Sequence, residues 1–139
     1  MPSTSGEQVT LSAFRGRSPV LLCFFPAAFS STCTSEFCDM RDSWDAYRAH
    51  GVEVFPVSVD SKYALAEYKA KYGFQVDLLS DMSREVSQAY GTYMPHRWWS
   101  NRAYFLVDRD GIVRWAHVEE HPGQRRSNEE VLAELAKLD

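Results

Sequence analysis

The chain has 139 residues, 45% of them apolar and 24% charged, and a formal net charge of −4. That balance suits a globular domain with its own core, and we expect one domain over residues 1–139. There is no Lys/Arg block and no apolar run near the roughly 18 residues of a membrane span, which speaks against nucleic acid or a membrane as partner.

In chain order, Met1–Gly6 is polar, reads as loose, and has none of the character of a signal peptide. Three cysteines are too few for a disulfide framework. The expected setting is therefore a reducing cytoplasm, where neighbouring cysteines are more often catalytic or metal-binding than structural. Gln8–Gly16 reads as a short strand or turn. Val20-Leu21-Leu22-Cys23-Phe24-Phe25, closed by Pro26, predicts a buried strand. Small hydroxylated residues follow, then a periodic mixed-charge segment to His50 and Gly51, the pattern of one helix with Ser/Thr at its start and Gly past its end. Val52–Asp60 is a second strand, and its Pro56 points to a sheet edge or an irregularity.

Ser61–Tyr72 predicts a helix capped by Asp60 or Ser61, with Gly73 past its end. A short strand at Val76–Leu79, a small helix over 82–90 and an aromatic loop over 91–101 come next. Ala103–Val107 and Ile112–Val118 form a hairpin through the turn Asp108-Arg109-Asp110-Gly111. Ser127-Asn128-Glu129-Glu130 is a capping box that opens the last helix. The order implies an α/β fold in which a central mixed sheet, parallel crossovers plus an antiparallel pair, is flanked by helices.

Cys33 falls in the first turn of the helix that follows the first core strand. The first helical N–H groups lack intrahelical partners and the macrodipole is positive there, so a thiolate is favoured. At neutral pH, full ionisation raises thiol reactivity by only about one to two orders of magnitude, so larger accelerations need groups that position substrate and stabilise the transition state. Cys38 lies five residues on. In an unbroken helix the two Cα atoms stand roughly 8–9 Å apart, beyond the limit of about 7 Å for a disulfide. The two cysteines can join only if the first turns unwind.

Pro26-x-x-x-Ser30-x-x-Cys33 resembles the active-site signature of the peroxiredoxins, thiol peroxidases on a thioredoxin-like fold. Cys33-Thr34-x-Glu36-x-Cys38 is similar to the bacterioferritin-comigratory-protein (PrxQ) branch, and Asn101-Arg102-x-x-Phe105-x-Val107-Asp108 also to the one-cysteine AhpE type. The resemblance runs from Gly6 to the C-terminus. The sequence departs from it in showing no Ala-Pro-x-Phe-like stretch of the N-terminal hairpin that family members carry.

The resemblance implies a thioredoxin-like fold and a peroxidase of hydrogen peroxide or organic hydroperoxides. Cys33 would be the peroxidatic residue, Cys38 would resolve it through an intramolecular disulfide, and thioredoxin or a similar dithiol protein would be the reductant. Pro26 would shield Cys33 from water as well as end the strand. Ser30 would bond the thiol or peroxide as well as cap the helix. Arg102 would favour the thiolate and bond the peroxide; otherwise it pairs with Asp108 or Glu36. Glu36 would orient Arg102 or a nearby loop; otherwise it faces water.

The family spacing favours the resolving role for Cys38; its alternative is a small core residue, which would leave a one-cysteine peroxidase resolved by an external thiol. A peroxide-responsive redox sensor would use the same chemistry without turnover. A thioredoxin-type oxidoreductase would need C-x-x-C, which the sequence lacks. Cys23 reads as inert core, and Trp98 and Trp99 could wall the site or face a partner. His50, His96, His117 and His121 match no metal-ligand spacing, and we expect no metal and no cofactor. Monomer and homodimer both remain open.

Overall fold

The computed structural model describes residues 1–138. Its core is a five-stranded sheet in the order β3-β2-β1-β6-β7. The strands are β1 (Val20–Phe24), β2 (Glu53–Ser58), β3 (Leu79–Ser80), β6 (Ala103–Val107) and β7 (Val113–Val118); β4 (Tyr93–Met94) and β5 (Trp99–Ser100) form a separate two-stranded hairpin. β1–β2 and β2–β3 are parallel, whereas β6 lies antiparallel to both β1 and β7. The helices are α1 (Ser31–Asp42), α2 (Trp44–Arg48), α3 (Lys62–Tyr72), α4 (Glu85–Ala89) and α5 (Asn128–Ala136). This is the thioredoxin-like α/β arrangement.

Caps read from the sequence are in place. Ser61 Oγ accepts from the Ala64 N–H at the start of α3, and Gly73 ends that helix in the left-handed region. Ser127 and Glu130 form the capping box of α5. The side-chain period of two divides β1 and β6 between two cores. Leu21, Cys23, Phe25, Tyr104 and Leu106 face a cluster with residues of α1, α3 and α5. Val20, Leu22, Phe24, Ala103 and Phe105 face a wholly apolar cluster on the other side.

Several expectations are corrected. The segment Met1–Gly6 is not loose. Ser80 N–H donates to Pro2 C=O and Thr4 N–H to Leu78 C=O, so it covers the open edge of β3, and Ser3 is buried. Of the strand or turn expected over Gln8–Gly16, the structure has a 3₁₀ turn at Leu11–Phe14. The helix expected to reach His50 breaks at Ser43 into α1 and α2. There Asn128 Nδ2 of α5 donates to the Asp39 C=O at 2.9 Å and to the Ser43 hydroxyl at 3.2 Å, so an acceptor of the last turn of α1 is shared with a partner outside the helix.

Pro56 lies in an interior strand, not at an edge. The N–H of Glu53 bonds toward β1, so by alternation the Pro56 nitrogen points away from β1. On that side β3 pairs only from Val57 onward, and the missing donor falls before the ladder begins. β3 is Leu79–Ser80 rather than Val76–Leu79, and α4 starts later than expected because Asp81 takes the N–H groups of Val86 and Ser87. The aromatic loop contains the β4–β5 hairpin, with Trp98 at its tip 68% exposed.

Candidate active site

The site sits at the carboxyl end of β1, where open α/β sheets commonly bind ligands. Phe25 extends β1 by bonding Val57, and the buried Pro26 then turns the chain out of the sheet. The loop that follows is pinned from β2's end: Ala28 N–H donates to Asp60 Oδ2 at 2.8 Å, and the Ser58 hydroxyl donates to the same oxygen at 2.7 Å. Phe29 takes φ = 68°, a backbone region costly for a non-glycine residue, and from there the chain enters α1. Asp60 and its tether were not read from the sequence as part of this loop.

Cys33 lies in the first turn of α1 with no exposed surface. Arg102, just ahead of β6, is 1% exposed and reaches it across the sheet. Its Nη2 donates to Cys33 Sγ at 2.9 Å, its Nη1 to Glu36 Oε1 at 2.9 Å, and its Nε to Pro122 C=O at 3.2 Å. Glu36 stands three residues after Cys33, on the same helix face, and is 4% exposed. Its second oxygen accepts from the Tyr104 hydroxyl, which in turn accepts from the Arg126 N–H at 3.0 Å.

The electrostatics follow from burial. Loss of solvent pushes the Glu36 carboxyl above its ordinary range, while Arg102 and Tyr104 pull it back. Burial works against the Arg102 guanidinium, but Glu36 and Cys33 more than offset it, so Arg102 stays charged. Burial, then Glu36, holds the Tyr104 phenol protonated. A thiol at a helix start, bonded by a fixed guanidinium, can act as a nucleophile. The guanidinium can also donate to a second atom on which negative charge develops.

Cys33, Glu36 and Arg102 thus converge, with Pro26 buried at the end of β1, and of the two pairing partners considered for Arg102 the structure has Glu36. Ser30 departs from expectation. It holds the N-cap position, but its hydroxyl turns back to donate to Ala27 C=O at 3.0 Å and does not cap a helical N–H. Cys38 is half-buried and Cys23 fully buried; burial pushes the Cys23 thiol up, as expected of a core residue. All three thiols are free, and α1 runs unbroken through Cys33 and Cys38. Between them, Thr34 Oγ1 and Tyr68 Oη of α3 are 3.1 Å apart.

Sequence reasoning missed Tyr104 and Tyr68. Tyr104 was within reach, since two residues after Arg102 on a strand is the same face. Among the described residues no group of three His, Cys, Asp or Glu is arranged to hold a metal, and no helix is long and apolar enough to cross a membrane.

A thioredoxin-like sheet with a buried, arginine-bonded thiol at the head of its first helix defines a class, the cysteine-dependent peroxidases. The model of the AhpC/TSA family matches residues 1–116. The chain belongs to that family, the peroxiredoxins. It is 36% identical over 122 residues to alkyl hydroperoxide reductase E of Mycobacterium tuberculosis, covering 86% of this chain and 79% of that one. It is 32% identical over 127 residues to a putative peroxiredoxin bcp of Coxiella burnetii, covering 86% and 83%. Among solved structures, the reduced 2-Cys peroxiredoxin of Plasmodium vivax superposes with a TM-score of 0.87 at 32% identity, over 96% of this chain and 72% of that one. The protein is accordingly an oxidoreductase with thiol-dependent peroxidase activity.

Proposed function

We propose that Cys33 is the peroxidatic cysteine and Cys38 the resolving one within a single catalytic domain. The Cys33 thiolate attacks one oxygen of hydrogen peroxide or an organic hydroperoxide. The O–O bond breaks, Cys33 becomes a sulfenic acid, and the departing oxygen takes a proton and leaves as water or an alcohol. Arg102 favours the thiolate and donates to the peroxide as charge moves onto the leaving oxygen. Glu36 holds Arg102 in place. Pro26 keeps water from the sulfur, and the Ser30 oxygen, its proton given to Ala27 C=O, accepts from the bound peroxide.

Cys38 then attacks the sulfenic sulfur, a disulfide forms, and the hydroxyl leaves as water. Because α1 is continuous, this step requires its first turns to unwind, which exposes Cys38 and Phe37 to a dithiol reductant such as thioredoxin. The disulfide is reduced and the helix re-forms. The reducing environment this cycle needs is that of the cytoplasm.

The observation that carries the reading is the buried chain from Glu36 through Arg102 to Cys33 Sγ, with both guanidinium bonds at 2.9 Å. The experiment is intact mass after one equivalent of hydrogen peroxide, with a sulfenic-acid trap, on wild type and Cys38→Ser. A loss of about two mass units in wild type and a trapped Cys33 sulfenic acid in the variant is expected. Sulfenic acid trapped on Cys33 in both proteins leaves a one-cysteine peroxidase. No reaction at Cys33 in either overturns the assignment. Slow oxidation without turnover by any dithiol reductant would point to a sensor.

A further inference from the structure

The cycle above leaves Tyr104 without a task, yet its hydroxyl ends the line Cys33–Arg102–Glu36. Tyr104 is 1% exposed and its ring stacks on Trp115 with centroids 5.7 Å apart. A phenol has one proton to give. The Arg126 N–H can only donate, so it occupies a lone pair of the Tyr104 oxygen, and the phenolic proton is directed to Glu36 Oε2. Glu36 is thereby bonded at both oxygens, Oε1 by Arg102 and Oε2 by Tyr104. Two fixed ends leave the carboxylate no rotation to trade. A carboxylate bonded only at Oε1 could swing and carry Arg102 Nη1 with it, taking Nη2 off the sulfur.

We propose that Tyr104 is a positioning residue for the peroxide step: its hydroxyl fixes Glu36 as a carboxylate in the pose that aims Arg102 at Cys33. The proposal rests on Cys33 being the peroxidatic residue. Packing alone would account for a buried aromatic ring at this position, but not for the hydroxyl placed between a backbone donor and a buried carboxylate. Phenylalanine would fill the same space against Trp115.

The electrostatic consequence has a definite sign. Around Glu36 stand Arg102 and Tyr104 of β6, Arg125 of the loop before α5, Cys33 on its own helix, Cys23 of β1 and Tyr47 of α2. Arg102, Tyr104 and Arg125 favour the carboxylate. Removing the phenol withdraws one of these and lets Glu36 take up a proton at higher pH. A rate that requires the Glu36 carboxylate is present above that group's pKa and lost as pH falls through it. Its acid limb must therefore move up.

The test is the pH profile of the second-order rate of Cys33 oxidation by hydrogen peroxide, in a Cys38→Ser background, with and without Tyr104→Phe. A hydrogen bond to a buried charged group is worth a factor of about ten or more, so we expect a rate about tenfold lower near neutrality and an acid limb raised by about one pH unit. A second variant keeps the ring and hydroxyl: difluorotyrosine at position 104 is a stronger donor and should move the limb the other way. An unmoved limb in a folded Tyr104→Phe protein overturns the proposal, even if the rate falls. If Tyr104→Phe does not fold, an unmoved limb with difluorotyrosine overturns it. Failure of Cys33 to react in the Cys38→Ser protein itself overturns the peroxidatic assignment and this proposal with it.

Discussion

The two faces of strands β1 and β6 are built from alternate residues of the same segments and could hardly differ more. On one face Val20, Leu22, Phe24, Ala103 and Phe105 meet Phe55, Val57 and Leu79, all apolar and all buried. On the other, Cys23, Tyr104 and Leu106 lie under α1, and that layer also buries an arginine, a glutamate and the Cys33 thiol. Hydrophobic burial explains the first face without remainder. It does not explain the second, because a buried ion pair is weak grounds for stability: apolar residues of the same volume are often as good or better. The charges under α1 make sense as chemistry that the apolar face stabilises from behind.

The comparison can be broken most sharply at Arg102. Arg102→Met leaves Glu36 buried without its cation and should cost about 3–5 kcal/mol in urea unfolding. The pair Arg102→Met with Glu36→Met should recover most of that stability but none of the peroxide reactivity. Recovery of both would mean that the charges are structural. On the opposite face, Phe24→Ala should cost about 3–5 kcal/mol through the cavity it leaves, while the rate per folded molecule stays at the wild-type value. A rate that falls with Phe24 would show that the faces are not separable.

The smallest effect concerns the step in which the polar face must let go. The Thr34–Tyr68 hydroxyl pair ties the first turn of α1 to α3. Tyr68→Phe removes a bond worth about 1 kcal/mol, so disulfide formation after peroxide should be roughly fivefold faster, with Cys33 oxidation unchanged. Quenched-flow mass spectrometry resolves the two steps. An unchanged resolving rate would mean that the first turn is held by other contacts, such as Phe37 against Phe25, with ring centroids 4.8 Å apart.

Much of this was legible because it is local. The helix start at Cys33, the α3 caps, the hairpin around Asp108–Gly111 and the Ser127 capping box each rest on residues a few positions apart. Pro26, Cys33, Glu36 and Arg102 were named from motif resemblance, and the meeting of Arg102 with Cys33 and Glu36 depends on β1 pairing with β6, a register no local pattern states. What stayed hidden required partners far along the chain. Tyr104 meets Glu36 across 68 positions, Asp60 meets Ala28 across 32, and Asn128 reaches Ser43 across 85. Met1–Gly6 looked loose because its order comes from the β3 edge, whose bare backbone groups it satisfies. Pro56 suggested an edge or an irregularity because its missing N–H had to face no partner. It does, inside the sheet, because β3 is so short.

The central claim is that Arg102 acts on the departing oxygen as well as on the thiol, and it is tested most directly by comparing two electrophiles. Rates of Cys33 with hydrogen peroxide and with iodoacetamide would be measured in Cys38→Ser, with and without Arg102→Gln. Loss of ionisation slows both reactions alike, by at most about one to two orders of magnitude. We expect the peroxide rate to fall at least tenfold further than the alkylation rate, because alkylation places no developing oxyanion for Arg102 to bond. If both rates fall by the same factor, Arg102 serves only to ionise the thiol, and the transition-state role assigned to it is wrong.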